Sequence, residues 1–273
     1  MVRLSRGEKV FEALNYVILV ALTLFFLTPF LSVVATSLTS RSEFAVRGQF
    51  ILFPYRPVLS AYRMLLGEGS IILNAFKVSL ARVSVGTVAN LLFTFPLAYV
   101  LARRRLFGRT AMTLFVFFTM LFSGGLVPHF VLVEKLHLLD SFWALILPGL
   151  VNPWWMLIMR NFIMMSIPEE LEEAAIVDGA TPPVILTRII FPLSLPSIAT
   201  IGLWYAVHHW NAWFDAVIYL SDPKKLPLQP ILRQILEIGA GTYSEYSGYA
   251  QALELQEPPP AESLRAAMII VCT

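Results

Sequence analysis

Residues Glu169–Pro192 read EELEEAAIVDGATPPVILTRIIFP, a charged helix-turn-helix set between long apolar segments. Ser166 followed by Glu169 makes the S-x-x-E pattern of a capping box, and Pro168 is tolerated in a first helical turn. The helix is expected to run to about Asp178, where Gly179 supplies the left-handed residue that ends it. Thr181 followed by Pro182 opens a second short helix in the same way. At roughly 100° per residue, Glu169, Glu170, Glu172 and Glu173 share one arc, and Leu171, Ala174, Ala175 and Asp178 the opposite one. Small alanines let a partner surface approach the helix backbone closely, while the acidic arc meets basic groups or stays solvated. Five acidic residues between apolar segments point to a soluble partner that docks there. An ordinary amphipathic helix with a wet acidic face is the plainer alternative.

Outward from this stretch the chain is apolar. Of its 273 residues 57% are hydrophobic and 14% charged, and mean hydropathy is +0.71. Soluble domains carry about 25% charged residues, so lipid is the main solvent. Crossing the hydrocarbon core takes roughly 20 apolar residues in a helix. Uncharged runs of that length occupy Ala13–Ser40, Val83–Ala102, Thr110–Val133, Ser141–Met159 and Ile189–Phe214. A last apolar piece, Ala266–Thr273, is too short to cross and reads as the start of a sixth span that is cut off. None of the runs alternates with the period of a barrel strand. The expected fold is therefore all-α and integral to the membrane, about six transmembrane helices with the last truncated, as a single domain over residues 1–273. Arg3, Arg6 and Lys9 ahead of the first run would suit a signal peptide. That run is too long, however, and no convincing small-residue cleavage site follows it, so it reads as a retained span. A net charge of +2 gives no reason to expect nucleic acid as a partner. The single Cys272 excludes a disulfide framework and a cysteine metal site.

Orientation follows the short basic loops. The turn from Arg103 to Arg109 holds four arginines in seven residues and lies on the side of the N-terminal basic residues if two spans separate them. The acidic segment falls on that side as well, which is expected to be the cytoplasm. The outer loops then cover about 39–71 and 221–262. The first contains Gly48, Pro54, Pro57, Gly67 and Gly69 and reads as irregular structure with short helices. The second contains the amphipathic piece Leu228–Ile238, the loose Gly239-Ala240-Gly241 and the run Pro258-Pro259-Pro260. Both suit contact with an external protein or a packed cap over the bundle.

Glu173-Ala174-Ala175, then Gly179 after three residues, Ile189 after nine more, and Phe191-Pro192 resemble the EAA loop of binding-protein-dependent ABC importer permeases. Phe191 stands where that family usually has leucine. The resemblance continues through Thr119-Met120-Leu121-Phe122-Ser123-Gly124-Gly125, Trp143-Ala144-Leu145-Ile146-Leu147-Pro148-Gly149 and His209-Trp210-Asn211. On these residues the chain is similar to the carbohydrate-uptake branch, to permeases like the maltose importer's smaller membrane subunit, and most to alginate-oligosaccharide importer permeases. The resemblance implies a coupling loop at about 166–190, with Glu169, Glu170, Glu173, Ala174, Ala175, Asp178 and Gly179 contacting an ATPase subunit. In that picture Glu173 pairs with a basic residue of the ATPase, the alanines pack and Gly179 allows the turn. It also implies a second homologous permease subunit in a heterodimer, two ABC ATPase subunits, an extracytoplasmic sugar-binding protein and an oligosaccharide substrate, at a bacterial cytoplasmic (inner) membrane. The chain has no GxxxxGK[ST] loop, so no cofactor is expected in it; ATP and Mg2+ belong to the ATPase partners.

Polar and aromatic residues inside the spans are the candidates for a sugar path. Trp154 and Trp155, and Tyr205, His209, Trp210 and Asn211 on the fifth run, offer rings that stack on sugar faces and groups that bond hydroxyls. Interface anchoring and helix packing explain any one of them as well. Lys77 and Arg82 at the start of the second run are expected to snorkel, Asp215 to mark an interface, and Ser123-Gly124-Gly125 to bend the third run or admit close packing. An ion-coupled secondary sugar transporter would want a buried acid in mid-span, and the five runs contain none. A membrane enzyme would want a convergent constellation that four histidines and one cysteine do not supply.

Overall fold

The computed structural model describes residues 6–48, 50–67, 70–238 and 259–272, and the regular structure among them is helical. Arg3, Gly69, Gly239-Ala240-Gly241 and Pro258, and with them most of the second expected outer loop, lie outside the described residues. The chain opens with α1 (Arg6–Ser37), two short helices α2 (Arg41–Arg47) and α3 (Ser60–Leu66), and the long α4 (Ile71–Ala102). There follow α5 (Arg109–Leu121), α6 (Leu126–Lys135), a 3-10 segment over Phe142–Gly149, and α7 (Pro153–Ser166). Then come α8 (Glu169–Val177), α9 (Pro182–Leu193, a π turn in its middle), α10 (Leu195–Asn211), α11 (Phe214–Tyr219), α12 (Leu228–Ile238) and α13 (Ala261–Cys272).

Helices α1 and α4 are each long and apolar enough to cross a membrane; three bent pairs satisfy the same test together. These are α5 with α6 at 112°, Phe142–Gly149 with α7 at 51°, and α9 with α10 at 80°. The five candidate spans fall on the five apolar runs. The bend expected at Ser123-Gly124-Gly125 is present: Gly125 sits at φ +84°, which an L side chain rarely adopts, and its N–H donates to Ser123 Oγ at 3.2 Å. Pro29 and Pro96, by contrast, lie inside continuous helices.

Contacts divide the chain into two compact units, Met1–Leu73 with Ile231–Thr273, and Asn74–Pro230. In the first, α1 is exposed along most of its length and packs only its end, from Ser32 onward, against α13. Ser263 Oγ donates to the Thr39 carbonyl at 3.0 Å, and Ser37 and Tyr62 share a hydroxyl contact of 2.9 Å. The expected irregular loop after α1 has α2 as its anchor. Ser40 caps that helix, and Glu43 accepts from Arg47 at 2.7 Å and from the Tyr55 N–H at 2.9 Å.

The second unit is organised by one stripe of α4. Arg82, Gly86, Asn90 and Thr94 recur every four residues, hence on one face, and all four are buried. Arg82 pairs with Asp215 and donates to the carbonyls of Ala212 at 3.1 Å and Leu145 at 3.4 Å. Asn90 Nδ2 donates to the carbonyls of Gly149 and Leu150, both at 2.8 Å, and its Oδ1 lies 2.6 Å from His209 Nε2. Thr94 Oγ1 is 2.8 Å from Tyr205 OH, which accepts the Asn152 N–H at 2.9 Å. The Gly149, Leu150 and Ala212 carbonyls lie where the helices break, between Phe142–Gly149 and α7 and between α10 and α11, and the Leu145 carbonyl ends the first 3-10 turn. Backbone groups freed by a break cannot turn to water in a bilayer and must find partners in the protein. The stripe supplies them.

Two expectations are corrected here. The second helix starts at Ile71, not near Val83, so Arg82 is not a snorkelling end residue: it is 1% exposed, with Asp215 as its counter-ion. Asp215 accordingly neutralises a buried cation rather than marking an interface. Lys77, one turn earlier, is exposed. On the far loop, Asp140 adopts φ +55° and accepts from the N–H groups of Ser221 and Asp222, each at 3.1 Å, and from Lys225 Nζ at 2.6 Å.

Candidate functional site

The acidic stretch forms α8 and the start of α9, with the expected turn between them. Gly179 has φ +83°. Its N–H donates to the Ile176 carbonyl at 3.0 Å and the Ala180 N–H to the Ala175 carbonyl at 2.9 Å. That pair of bonds is the Schellman motif, and Ala180 packs against the core that contains Ala175. The capping box is not formed. Ser166 is still the last residue of α7, and Pro168 takes the N-cap position with no side-chain cap. Its ring fixes φ for the turn into the helix, so the chain needs no serine there.

Of the nine residues of α8, Ala175 alone is buried. It joins a core of Ile163, Ile167, Ile185 and Ile190 that ties α8 to α7 and α9. Leu171, Ala174, Ile176 and Val177 are exposed, Val177 at 86%. The helix thus has one small buried residue and leaves Leu171, Ala174 and Val177 exposed, with Ile176 in the wall of the cleft beside the arginine turn.

Its acidic side is held differently. Arg103 pairs with Glu172, Arg104 with Glu169 at 3.3 Å, and Arg105 with Glu173. Glu169, Glu172 and Glu173 stand at i, i+3 and i+4, one helix face. Glu170 and Asp178 are exposed and make no ion pair among the described residues. The innermost pair is Arg103–Glu172, and the Arg103 guanidinium also lies 4.8 Å over the Tyr99 ring. Behind it, Arg160 Nε donates to the Leu101 carbonyl at 2.9 Å, closing the end of α4 onto α7. Between the arginine turn and α8 lies a cleft of about 320 Å³ with Tyr99, Phe107, Ile163, Ile167 and Ile190 in its wall. Glu172 and the three arginines carry no mark in the sequence that separates them from Glu170 or from an ordinary basic loop. The matching signal, three consecutive cations opposite acids at i, i+3 and i+4, becomes legible only when both segments are known to meet.

The aromatic candidates divide into two groups. Trp155 meets Tyr205 edge-on at 4.5 Å and lies near Trp204 and His208. Tyr205 and His209 are buried and engaged with Thr94, Asn152 and Asn90. The others stand apart: Trp154 is exposed, Trp210 packs edge-on against Phe76 at 6.1 Å, and Asn211 bonds back to the Val207 carbonyl at 2.8 Å.

Comparison with known proteins agrees with the helical architecture. Residues 94–248 match the model of the family described as binding-protein-dependent transport system inner membrane component. The chain is 40% identical over 266 residues to the polygalacturonan/rhamnogalacturonan transport system permease protein YtcP of Bacillus subtilis, covering 97% of this chain and 91% of that protein. It is 38% identical over 269 residues to Protein LplC of the same organism, covering 98% and 88%. Among solved structures it is similar to a chain in the crystal structure of a bacterial ABC transporter involved in the import of the acidic polysaccharide alginate. There the TM-score is 0.87 and the identity 29%, over 100% of this chain and 94% of that one. The ion-coupled reading falls with these likenesses, and the ion pair of Asp215 with Arg82 accounts for the acid beside the fifth run. The chain belongs to the inner membrane components of binding-protein-dependent transport systems, as a permease of the carbohydrate-uptake ABC importers.

Proposed function

We propose that this permease carries oligomers of an acidic polysaccharide inward, and that α8 is its coupling helix. A helix with one buried residue, Ala175, and with Leu171, Ala174 and Val177 exposed, is the observation that supports the second statement. Two relatives, one a polygalacturonan/rhamnogalacturonan permease and one from an alginate importer, support the first, because both polymers carry uronic acids. The working assembly in this reading contains a second homologous permease, two ABC ATPase subunits that bind ATP and Mg2+, and an extracytoplasmic sugar-binding protein. The N-terminus, the Arg103–Arg109 turn and α8 face the cytoplasm. Closure of the ATPases moves α8 and rocks the permease pair between inward-facing and outward-facing states, a rigid-body form of alternating access. Glu170, Leu171, Ala174, Val177 and Asp178 form the coupling surface; Gly179 sets its turn, Ala175 seats the helix on its own chain, and Glu169 and Glu173 face the arginine turn. Trp154, Trp155, Tyr205, His209, Trp210 and Asn211 are candidates for the sugar path, with Tyr205 and His209 contributing from beneath it through the rings they support.

The test is purification of the tagged chain from its native membrane in mild detergent, followed by reconstitution with whatever co-purifies. Recovery of a P-loop ATPase and a second multi-span protein, with uptake of oligogalacturonides in preference to neutral oligomers of equal length, supports both statements. Gly179→Pro removes the left-handed residue and is expected to abolish uptake while ATP is still hydrolysed. Normal uptake by that variant would remove the coupling role of α8; preference for neutral oligomers would remove the acidic substrate.

A further inference from the structure

We infer that Arg103, Arg104 and Arg105 position the coupling helix from within the same chain, so that α8 and the end of α4 move as one piece. The inference rests on the coupling reading of α8 and assigns it a specific intramolecular support.

Three observations converge on it. First, α8 has one buried residue, and a single alanine cannot fix the rotation of a helix about its own axis. Second, every member of the i, i+3, i+4 acidic set on α8 faces an arginine of the 103–105 turn, in three separate pairs. Ion pairs at or near the surface contribute little stability each, so the value of three in register lies in geometry: they define a direction. Third, the turn is itself held fast. Arg103 packs on Tyr99, which is 4% exposed. Arg160 holds the Leu101 carbonyl, and Arg109 reaches Met164 Sδ at 3.4 Å. The clasp therefore connects α8 to α4 and α7, not to a loose loop.

The path continues upward along α4. From Arg82 to Ala102, the last residue of α4, is 20 residues, about 30 Å of helix at about 1.5 Å each, and over that length the Thr94, Asn90 and Arg82 contacts tie α4 to α10, the 145–150 turn and the Ala212 carbonyl. A push on α8 thus has a stiff connection to the helix breaks in mid-chain. Glu173 is already partnered in cis by Arg105, so its carboxylate serves orientation of the helix, and docking falls to the exposed Leu171, Ala174 and Val177.

The test uses the complete transporter in proteoliposomes and reads substrate moved per ATP hydrolysed, together with ATPase subunits retained. Arg103→Glu and Glu172→Arg are each expected to lower that ratio about tenfold with the ATPase subunits still bound, and the double exchange to bring it back within about twofold of the original. A merely structural pair would change the amount of assembled transporter and leave the ratio alone. Unchanged ratios in both single variants, or a double exchange that assembles without recovering, would overturn the positioning role. Should the single variants not assemble, Arg104→Cys with Glu169→Cys in a Cys272→Ser background serves instead. A short bis-maleimide bridge between the two is expected to leave uptake intact, because the clasp stays closed through the cycle, and loss of uptake on bridging would sink the inference. Gly179→Pro separates the two levels: coupling lost there but normal in Arg103→Glu removes only the clasp, whereas normal coupling in Gly179→Pro removes the coupling reading itself.

Discussion

The polar stripe of α4 and the arginine turn at its end use the same chemistry in opposite surroundings. Arg82 is 1% exposed, and its partners are one carboxylate and two broken-helix carbonyls. Arg104 and Arg105 are more than two-thirds exposed, and each meets one glutamate. In a bilayer an unpartnered buried cation has no solvent to turn to, so losing one partner from the stripe leaves a large uncompensated cost. At the surface water replaces a lost partner, so the same deletion costs little. Buried pairs hold the fold, whereas the exposed pairs orient a helix that has one buried residue of its own.

The comparison is broken most directly at Asp215. Asp215→Ala strands the Arg82 charge and is expected to lower stability in detergent by about 3–5 kcal/mol; thermal unfolding that matches the unaltered chain would show that Arg82 is not carried by this pair. Next in size is Gly86→Ala. A Cβ there would stand 2.5 Å from His209 Nε2, so the ring must leave Asn90, and a loss of about 2–3 kcal/mol is expected in the same measurement. Tyr205→Phe keeps the ring that meets Trp155 and removes the hydroxyl between Thr94 and the Asn152 N–H, for about 1–2 kcal/mol. Arg104→Ala, from the exposed set, is expected to cost less than about 1 kcal/mol; a larger loss would mean that the clasp is part of the fold after all.

The smallest effect expected is at Asp140. The Lys225 ammonium, with the N–H groups of Asp222 and Ser221, holds its carboxyl below the ordinary aspartate value. A carboxyl lowered in the folded state adds stability above its unfolded pKa and loses it as pH falls through the folded one. The unaltered chain should therefore lose a small increment of stability at acid pH. Asp140→Asn, which still tolerates the left-handed backbone, should lack that increment. Parallel acid profiles for the two would show that the Lys225 contact is not felt.

Much of this was legible in the residues. The spacing Glu173-Ala174-Ala175 to Gly179 announced a helix, its left-handed end and its exposure, because a glycine at positive φ and a short charged helix are local requirements that local sequence can state. Five apolar runs foretold two long helices and three bent pairs that are long and apolar enough to cross a membrane, for the same reason. Ser166 misled, because a capping pattern is as local as a proline and the proline won the turn. The uncharged stretch from Val83 hid the true start of α4 at Ile71, since Arg82 reads as a boundary only while its counter-ion, 133 residues away, is unknown.

By itself, then, the sequence determined the solvent, the helical class, the bend at Gly125 and the turn at Gly179, all of which depend on neighbours within a few residues. Tertiary structure decided what the charges and aromatics are for. Arg82 became a buried anchor, Tyr205 and His209 partners of α4, and Arg103–Arg105 a clasp on α8, because an ionic or hydrogen-bonding group takes its meaning from whichever distant group reaches it and from whether water can take that group's place.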